Sequence, residues 1–205
     1  SSLATIDQHF LIIGQRGMGK TTLMLKLAYE IGRNPQLRDW LIPVIFPEEL
    51  FGVAELLDLW IALGEILEER IPGMMESLER IAQQQQEHLL IQHIRGQLAE
   101  NHLKIVLFID NLGDLLDRLE ENEVRRLREI LMTATDIRLV GASTRIMDHA
   151  YRYDKPFFDF FNTIFLPGLN REETISLMEG LAPHSGQKQI LAEIMTQHPA
   201  RIEAI

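Results

Sequence analysis

The sequence contains no cysteine and no long run of apolar residues. Without cysteine the chain can form neither disulfide bonds nor thiolate metal sites, which fits a reducing compartment. No apolar run approaches the roughly 20 residues that a membrane-spanning helix requires, and no charged-then-apolar leader opens the sequence. We therefore expect a cytoplasmic protein without a membrane partner.

Basic residues are also scarce, with 20 Lys and Arg against 30 Asp and Glu and a formal net charge of -10. The acidic surplus is concentrated between Glu48 and Leu103. Because phosphate binding requires surplus Lys and Arg, we do not expect this segment to form a nucleic-acid groove. A solvated face on long helices explains the acidic surplus. With 46% hydrophobic residues, the chain can bury an ordinary globular core.

Five apolar runs have strand character, and they read HFLIIG, WLIPVIF, KIVLFID, DIRLVGAS and NTIFLPG. Segments with helical periodicity lie between them, and the longest runs from Glu48 to Glu100 with a break at Pro72-Gly73. Strands that alternate with helices predict an α/β fold with a mainly parallel sheet covered on both faces.

The most specific motif is GQRGMGKT, residues 14–21, which fits G-x-x-x-x-G-K-[ST] and stands between a predicted strand and a predicted helix. Its glycines let the backbone turn N–H groups around an anion, and the helix presents its positive dipole end to that anion. We predict that this P-loop binds ATP or ADP, with Lys20 on the β- and γ-phosphates and Thr21 on Mg²⁺. The predicted nucleotide-binding residues are Gly14, Gln15, Arg16, Gly17, Met18, Gly19, Lys20, Thr21 and Thr22.

A second motif is the apolar strand KIVLFID, which ends on Asp110. The carboxyl ends of strands form the edge where open α/β sheets bind ligands. Asp110 is therefore the predicted Walker-B aspartate, which holds Mg²⁺ through water together with Thr21.

These motifs predict a three-layer P-loop NTPase sandwich with a five-stranded sheet over residues 1–167. After LPGL the pattern changes to two short helices, the first preceded by a capping-box signature at Asn170 and Glu173. We expect residues 168–205 to be the start of a small helical lid, truncated at the end of this chain.

The order of these motifs, with LVGASTR as a polar-ended fourth strand and LPGL after the fifth, resembles the AAA+ ATPases. The resemblance is strongest to the initiator-like branch and to the STAND signalling NTPases. It implies a sensor-1 position at Ser143 or Thr144 near the γ-phosphate, and Arg145 resembles the arginine of the STAND T-[ST]-R pattern. It also implies that Arg201, in HPARIEAI, is the sensor-2 arginine. A strand end with a helix cap, and an exposed helical arginine, are the respective alternatives.

The resemblance fails at one position that matters for hydrolysis. AAA+ enzymes usually follow the Walker-B aspartate with a glutamate, whereas this chain has Asn111, which cannot accept a proton. In the sheet order of the family, the second strand lies beside the strand of Asp110. We therefore hypothesise that Glu49 or Glu48 orients and deprotonates the attacking water. The alternative is that both acids only favour a helix N-terminus.

The sequence thus predicts an ATP-binding and ATP-hydrolysing switch that couples nucleotide state to self-association or to protein partners. Its predicted catalytic residues are Lys20, Asp110, Glu49, Ser143, Thr144 and Arg145. The resemblance implies that a neighbouring subunit completes the site with an arginine, for which Arg152 is the candidate. It also implies that DNA could be reached through a domain outside this chain. Two alternatives stay open, a non-hydrolysing nucleotide-binding module and a small-molecule P-loop kinase.

Overall fold

A computed structural model describes residues 8–46, 52–83, 86–170, 172–173 and 175–176. The strands are β1 (His9–Ile13), β2 (Leu41–Ile45), β3 (Lys104–Ile109), β4 (Ile137–Ser143) and β5 (Phe161–Phe165). The helices within these residues are α1 (Lys20–Arg33), α2 (Leu56–Leu67), α3 (Met74–Ala82), α4 (Glu87–Glu100), α5 (Leu112–Arg118), α6 (Glu121–Thr133) and α7 (Asp148–Tyr151).

The five strands form one sheet in the order β2-β3-β4-β1-β5. Every neighbouring pair is parallel, so all five carboxyl ends lie at one edge. The loop after β1, the residue after β3 and the end of β4 are therefore brought side by side. The predicted α/β fold is confirmed, including the place of β2 beside β3.

Alternate strand residues pack on opposite faces of the sheet and create two cores. Leu11, Leu107 and Leu139 face the larger core, which the helices α2 to α6 cover. Ile12 and Phe108 face the smaller core, where they pack against α1. This alternation gives the three layers that the sequence predicts.

The helical insertion between β2 and β3 contains α2, α3 and α4, and Gly73 with a φ of 88° begins α3 at the predicted break. Trp60 of α2 is fully buried, and its indole Nε1 donates to Glu87 Oε1 at 3.0 Å. The other oxygen of Glu87 accepts from Arg126 Nε at 2.8 Å. One carboxylate thus ties α2, α4 and α6 together.

A second carboxylate joins two helix starts. Glu123 Oε1 accepts from the N–H of Leu56 at 2.9 Å, and Glu123 Oε2 accepts from the N–H of Glu120 at 3.0 Å. Both N–H groups belong to helix N-termini, where no intrahelical acceptor is available. Glu123 therefore fixes the start of α2 against the start of α6.

The predicted capping box after β5 is present, since Asn170 N–H donates to Glu173 and Glu173 N–H donates back to the Asn170 side chain, each at 2.9 Å. Most of the predicted lid lies outside the described residues, and the boundary near residue 168 stays a prediction. Among the helices that the structure describes, none combines the length and hydrophobicity needed to cross a membrane.

Candidate nucleotide site

The P-loop leaves β1 and reaches α1 through two left-handed glycines. Gly17 has a φ of 85° and Gly19 a φ of 81°, a conformation that costs residues with a Cβ roughly 1–2 kcal/mol. A Cβ at either position would meet no atom within 4 Å, so conformation and not space requires glycine. No side chain in the described structure caps α1 at Gly19. The first N–H groups of α1 are therefore available to an anion.

Lys20 begins α1 and is only 6% exposed. Its Nζ donates to the carbonyl oxygens of Gly14 at 2.8 Å and of Gln15 at 3.0 Å. Both acceptors are neutral, so they satisfy the hydrogen bonds of the ammonium without balancing its charge. A buried cation of this kind favours an anionic ligand, and the P-loop residues fit the phosphates of a nucleotide.

Thr21 and Asp110 meet across the site. The Thr21 hydroxyl donates to Asp110 Oδ2, while Asp110 Oδ1 accepts from the N–H of Asn111 at 2.9 Å. Asp110 is 7% exposed. A hydroxyl and a carboxylate are the oxygen ligands that Mg²⁺ accepts, so the pair fits the predicted metal side of the site. The described chain holds no cluster of three His, Cys, Asp or Glu ligands, and Mg²⁺ commonly takes its other ligands from phosphates and water.

The end of β4 touches the P-loop, because the N–H of Gly14 donates to the carbonyl oxygen of Ser143 at 3.2 Å. Ser143 is buried, and its hydroxyl donates to the carbonyl oxygen of Arg145 at 2.7 Å and accepts from the N–H of Arg145 at 3.3 Å. Of the two predicted sensor-1 hydroxyls, that of Ser143 therefore closes a turn, whereas Thr144 is exposed at the start of the loop.

Arg145 points away from its own turn to a carboxylate on α5. Its Nη2 lies 3.7 Å from Asp117 Oδ2, and the other oxygen of Asp117 lies 3.0 Å from His149 Nε2. A cavity of about 190 Å³ opens beside these groups and reaches Gly113 and Met147. The sequence analysis missed Asp117 and His149, since nothing in their spacing distinguishes them from other polar helix residues.

Asn111 follows Asp110 in a left-handed conformation, with a φ of 49° and a ψ of 43°, and is the residue directly before α5. Asparagine tolerates this region better than most residues with a side chain. The backbone at this position therefore favours asparagine over the glutamate that AAA+ enzymes usually carry.

The segment after β5 packs directly on the P-loop. A Cβ on Gly14 would lie 3.1 Å from the carbonyl oxygen of Leu166, and one on Gly168 would lie 3.5 Å from Met18 Cε. The N–H of Leu166 donates to the carbonyl oxygen of Ile13 at 2.7 Å. The segment that leads from β5 into the predicted lid thus lies close to the P-loop at both Gly14 and Met18.

The remaining predicted residues are exposed or lie outside the described structure. Gln15, Arg16 and Thr22 are exposed on the P-loop and α1. Arg152 pairs with Asp154 at 2.8 Å within its own loop. Three predicted residues lie outside the described residues, namely Glu48, Glu49 and Arg201.

Comparison with known families and structures agrees with this fold. Residues 6–146 match the family described as AAA domain. The ADP form of the Aeropyrum pernix ORC2 protein is similar, with a TM-score of 0.67 and 13% identity over 89% of this chain and 50% of that chain. The A. pernix ORC1 protein in complex with DNA is similar, with a TM-score of 0.60 and 14% identity over 86% of this chain and 44% of that chain.

The Walker-type ATPase PABY2304 of Pyrococcus abyssi is also similar, with a TM-score of 0.61 and 9% identity over 90% of this chain and 55% of that chain. At these identities the likeness shows the fold alone. The chain spans about half the length of these structures. A comparison with curated protein sequences found no match.

Proposed function

The chain belongs to the AAA domain family, and from this premise we propose that it is a nucleotide switch that binds ATP with Mg²⁺, hydrolyses it, and passes the nucleotide state to the segment after β5. Lys20 would neutralise the β- and γ-phosphates, and the first N–H groups of α1 would bind their oxygens. Thr21 and Asp110 would hold Mg²⁺, which supplies further charge neutralisation when bound.

The observation that carries the switch is the packing of the P-loop on the segment after β5. Gly14 is close to Leu166, and Met18 is close to Gly168. A change in the P-loop on binding or loss of the γ-phosphate therefore acts directly on the chain that leads into the predicted lid. Ligand-dependent movement of such a segment is a common form of nucleotide switching. We propose that it gates self-association or the binding of a protein partner.

Hydrolysis needs a base that Asn111 cannot supply, and we propose Glu49 or Glu48. The N–H of Phe46 donates to the carbonyl oxygen of Phe108 at 3.0 Å, so the chain leaves β2 at the same edge of the sheet as Asp110. Glu48 and Glu49 lie outside the described residues, and we propose that one of them faces the site from this side. A carboxylate there would accept the proton of a water held within about 3 Å.

A non-hydrolysing nucleotide-binding module is the second candidate, and the left-handed conformation of Asn111 favours it. The kinase alternative has less support, because Arg125 and Arg126 on α6 pair with Glu121 and Glu87 and are not arranged as a closing loop. A DNA partner and a cytoplasmic location stay predictions from the sequence.

The test is steady-state phosphate release from ATP in the presence of Mg²⁺, by the parent and by the Glu48→Gln, Glu49→Gln and Asn111→Glu variants. Nucleotide binding is measured for each variant as the control. We expect one glutamine variant to slow release while binding is retained. If neither does, the base is not on the segment after β2. If the parent binds ATP without releasing phosphate and Asn111→Glu raises the rate, the chain is a binding module.

A further inference from the structure

The turn that carries Arg145 is held against α5 from both of its sides. On one side, Met147 is buried, and a Cβ added to Gly113 would lie 3.2 Å from its sulfur. On the other side, Arg145 and His149 both reach Asp117. The Asp117 carboxylate therefore contacts two basic side chains, that of Arg145 in the turn and that of His149 in α7.

The two contacts of Asp117 differ in strength. The His149 side chain is 12% exposed and lies 3.0 Å from Asp117 Oδ1. The Arg145 side chain is 76% exposed, and its nearest nitrogen lies 3.7 Å from Asp117 Oδ2. Exposed ion pairs at such distances are weak because water and salt screen them. Arg145 can thus leave Asp117 at little cost, while His149 keeps the carboxylate in place.

Arg145 also starts from a fixed point close to the P-loop. Ser143 accepts the N–H of Gly14 at its carbonyl oxygen, and its hydroxyl holds both backbone groups of Arg145. The backbone of Arg145 is therefore two residues from a direct contact with the P-loop. Its exposed side chain is paired with Asp117 and starts two residues from that P-loop contact.

We propose that Asp117 is a positioning residue that holds Arg145 in a resting ion pair, and that the terminal phosphate of ATP competes with Asp117 for Arg145. The inference rests on the proposed function, since it requires ATP in the P-loop. Because ADP lacks the competing phosphate, Asp117 lowers the affinity for ATP without affecting that for ADP. The carboxylate on α5 thus sets how well the site distinguishes the two nucleotides.

The experiment is a double-mutant cycle with the parent, Asp117→Asn, Arg145→Ala and the double variant. Each protein is titrated calorimetrically with a non-hydrolysable ATP analogue and with ADP, in the presence of Mg²⁺. Asparagine keeps the shape of the side chain and removes the charge that holds Arg145. We expect Asp117→Asn to tighten binding of the ATP analogue about two- to fivefold, the range of an exposed ion pair, and to leave ADP binding unchanged. In the Arg145→Ala background, Asp117→Asn should have no effect on either nucleotide.

Asp114→Asn is the matched control, because Asp114 is an exposed acid one turn earlier on the same helix. It tests whether any loss of negative charge near the site tightens ATP binding. The inference is overturned if Asp117→Asn changes the affinities for both nucleotides equally or changes neither affinity. It is also overturned if Asp117→Asn has the same effect in the Arg145→Ala background as in the parent. A parent that binds neither nucleotide would contradict the proposed function itself. If the parent binds both nucleotides and the double-mutant cycle shows no coupling between Asp117 and Arg145, only the role of Asp117 is contradicted.

Discussion

Thr21 at the start of α1 and Asp110 at the end of β3 are hydrogen-bonded to each other, although 89 residues separate them in the sequence. The parallel sheet explains the contact, because the strands that lead to both residues end at the same edge. A hydroxyl and a carboxylate are thereby held together at this edge. This relationship makes the role of each residue separately testable.

Asp110→Asn should remove most of the effect of Mg²⁺ on ATP binding, because a neutral amide is a weaker ligand for a hard cation than a carboxylate. Calorimetric titration with ATP, with and without Mg²⁺, measures the effect. Asp114→Asn provides the control and should behave as the parent does. Should Mg²⁺ still tighten ATP binding to the same extent in Asp110→Asn, the carboxylate does not lie on the metal side of the site.

Lys20→Ala should weaken ATP binding roughly 10- to 100-fold, the range expected when a charged hydrogen bond is lost. Lys26→Ala is a matched control on the same helix, because Lys26 is exposed and forms an ion pair with Glu30 at 2.7 Å. That variant should bind ATP as the parent does. Unchanged affinity in Lys20→Ala would contradict the assignment of the P-loop.

Asn111→Ala should lower the free energy of unfolding by about 1 kcal/mol, because alanine is disfavoured in the left-handed conformation. Asn111→Gly should retain or raise stability, since glycine adopts this conformation freely. Urea denaturation of the two variants measures the difference. Equal stabilities would show that the backbone at this position relaxes when the side chain changes.

His9 should make the protein less stable as the pH falls below neutrality. Burial is the main cause that lowers the pKa of His9 to about 4, and the neutral ring accepts from the N–H of Leu139 at 3.0 Å while its Nε2 lies 3.1 Å from the carbonyl oxygen of Leu131. Because the unfolded chain takes up this proton near pH 6.5, the contribution is present above that pH and is lost as the pH falls towards 4.

We expect His9 to account for about 2 kcal/mol of lost stability between pH 7.5 and pH 5. Urea denaturation at both pH values measures it, and His9→Gln should remove this part of the pH dependence. His88→Gln changes an exposed histidine and should leave the dependence as it is. If the stability of His9→Gln depends on pH as strongly as that of the parent, the buried ring is not the source of the pH dependence.

Glu123→Gln should destabilise the fold by about 1–3 kcal/mol, because an amide has one acceptor oxygen where two helix-start N–H groups, one of them buried, each bind a different oxygen. Glu121→Gln, two residues earlier on α6, removes an exposed pair with Arg125 and should destabilise the fold much less, because water screens such pairs. Chemical denaturation of both variants gives the comparison. Similar costs would show that Glu123 does not hold the start of α2.

Local patterns in the sequence predicted the strands, the P-loop and the place of Asp110, because each depends on a few neighbouring residues. The P-loop glycines fix their own conformation, and the apolar run of β3 identifies a buried strand wherever it lies. The contact between β2 and β3 followed from the resemblance and is confirmed. Local patterns therefore predict the framework of the site and its phosphate-binding end.

The turn after β4 could not be predicted in the same way. The hydroxyl of Ser143 is engaged by Arg145 because the chain bends back on itself, and a sequence does not show that bend. Asp117 becomes relevant only because α5 packs beside this turn. The sequence shows that Asn111 cannot accept a proton, but only the structure shows the left-handed backbone conformation that favours asparagine there. The contacts of Asp117 depend on long-range packing, and the other two features depend on backbone conformations that the residue types alone do not reveal.

The position of β1 between β4 and β5 in the sheet has a consequence for how the protein folds during synthesis. Of the five strands, β1 leaves the ribosome first. It pairs with β4, where Phe10 lies opposite Val140, and with β5, where His9 lies opposite Phe161. The nascent chain must close a loop of more than a hundred residues before β1 has either partner, and such distant contacts form slowly. The strands β2, β3 and β4 can associate earlier, so the phosphate-binding loop is completed among the last parts of the fold. A polypeptide stalled before residue 161 would carry the P-loop motif in full and still lack the strand that holds the loop from its other side.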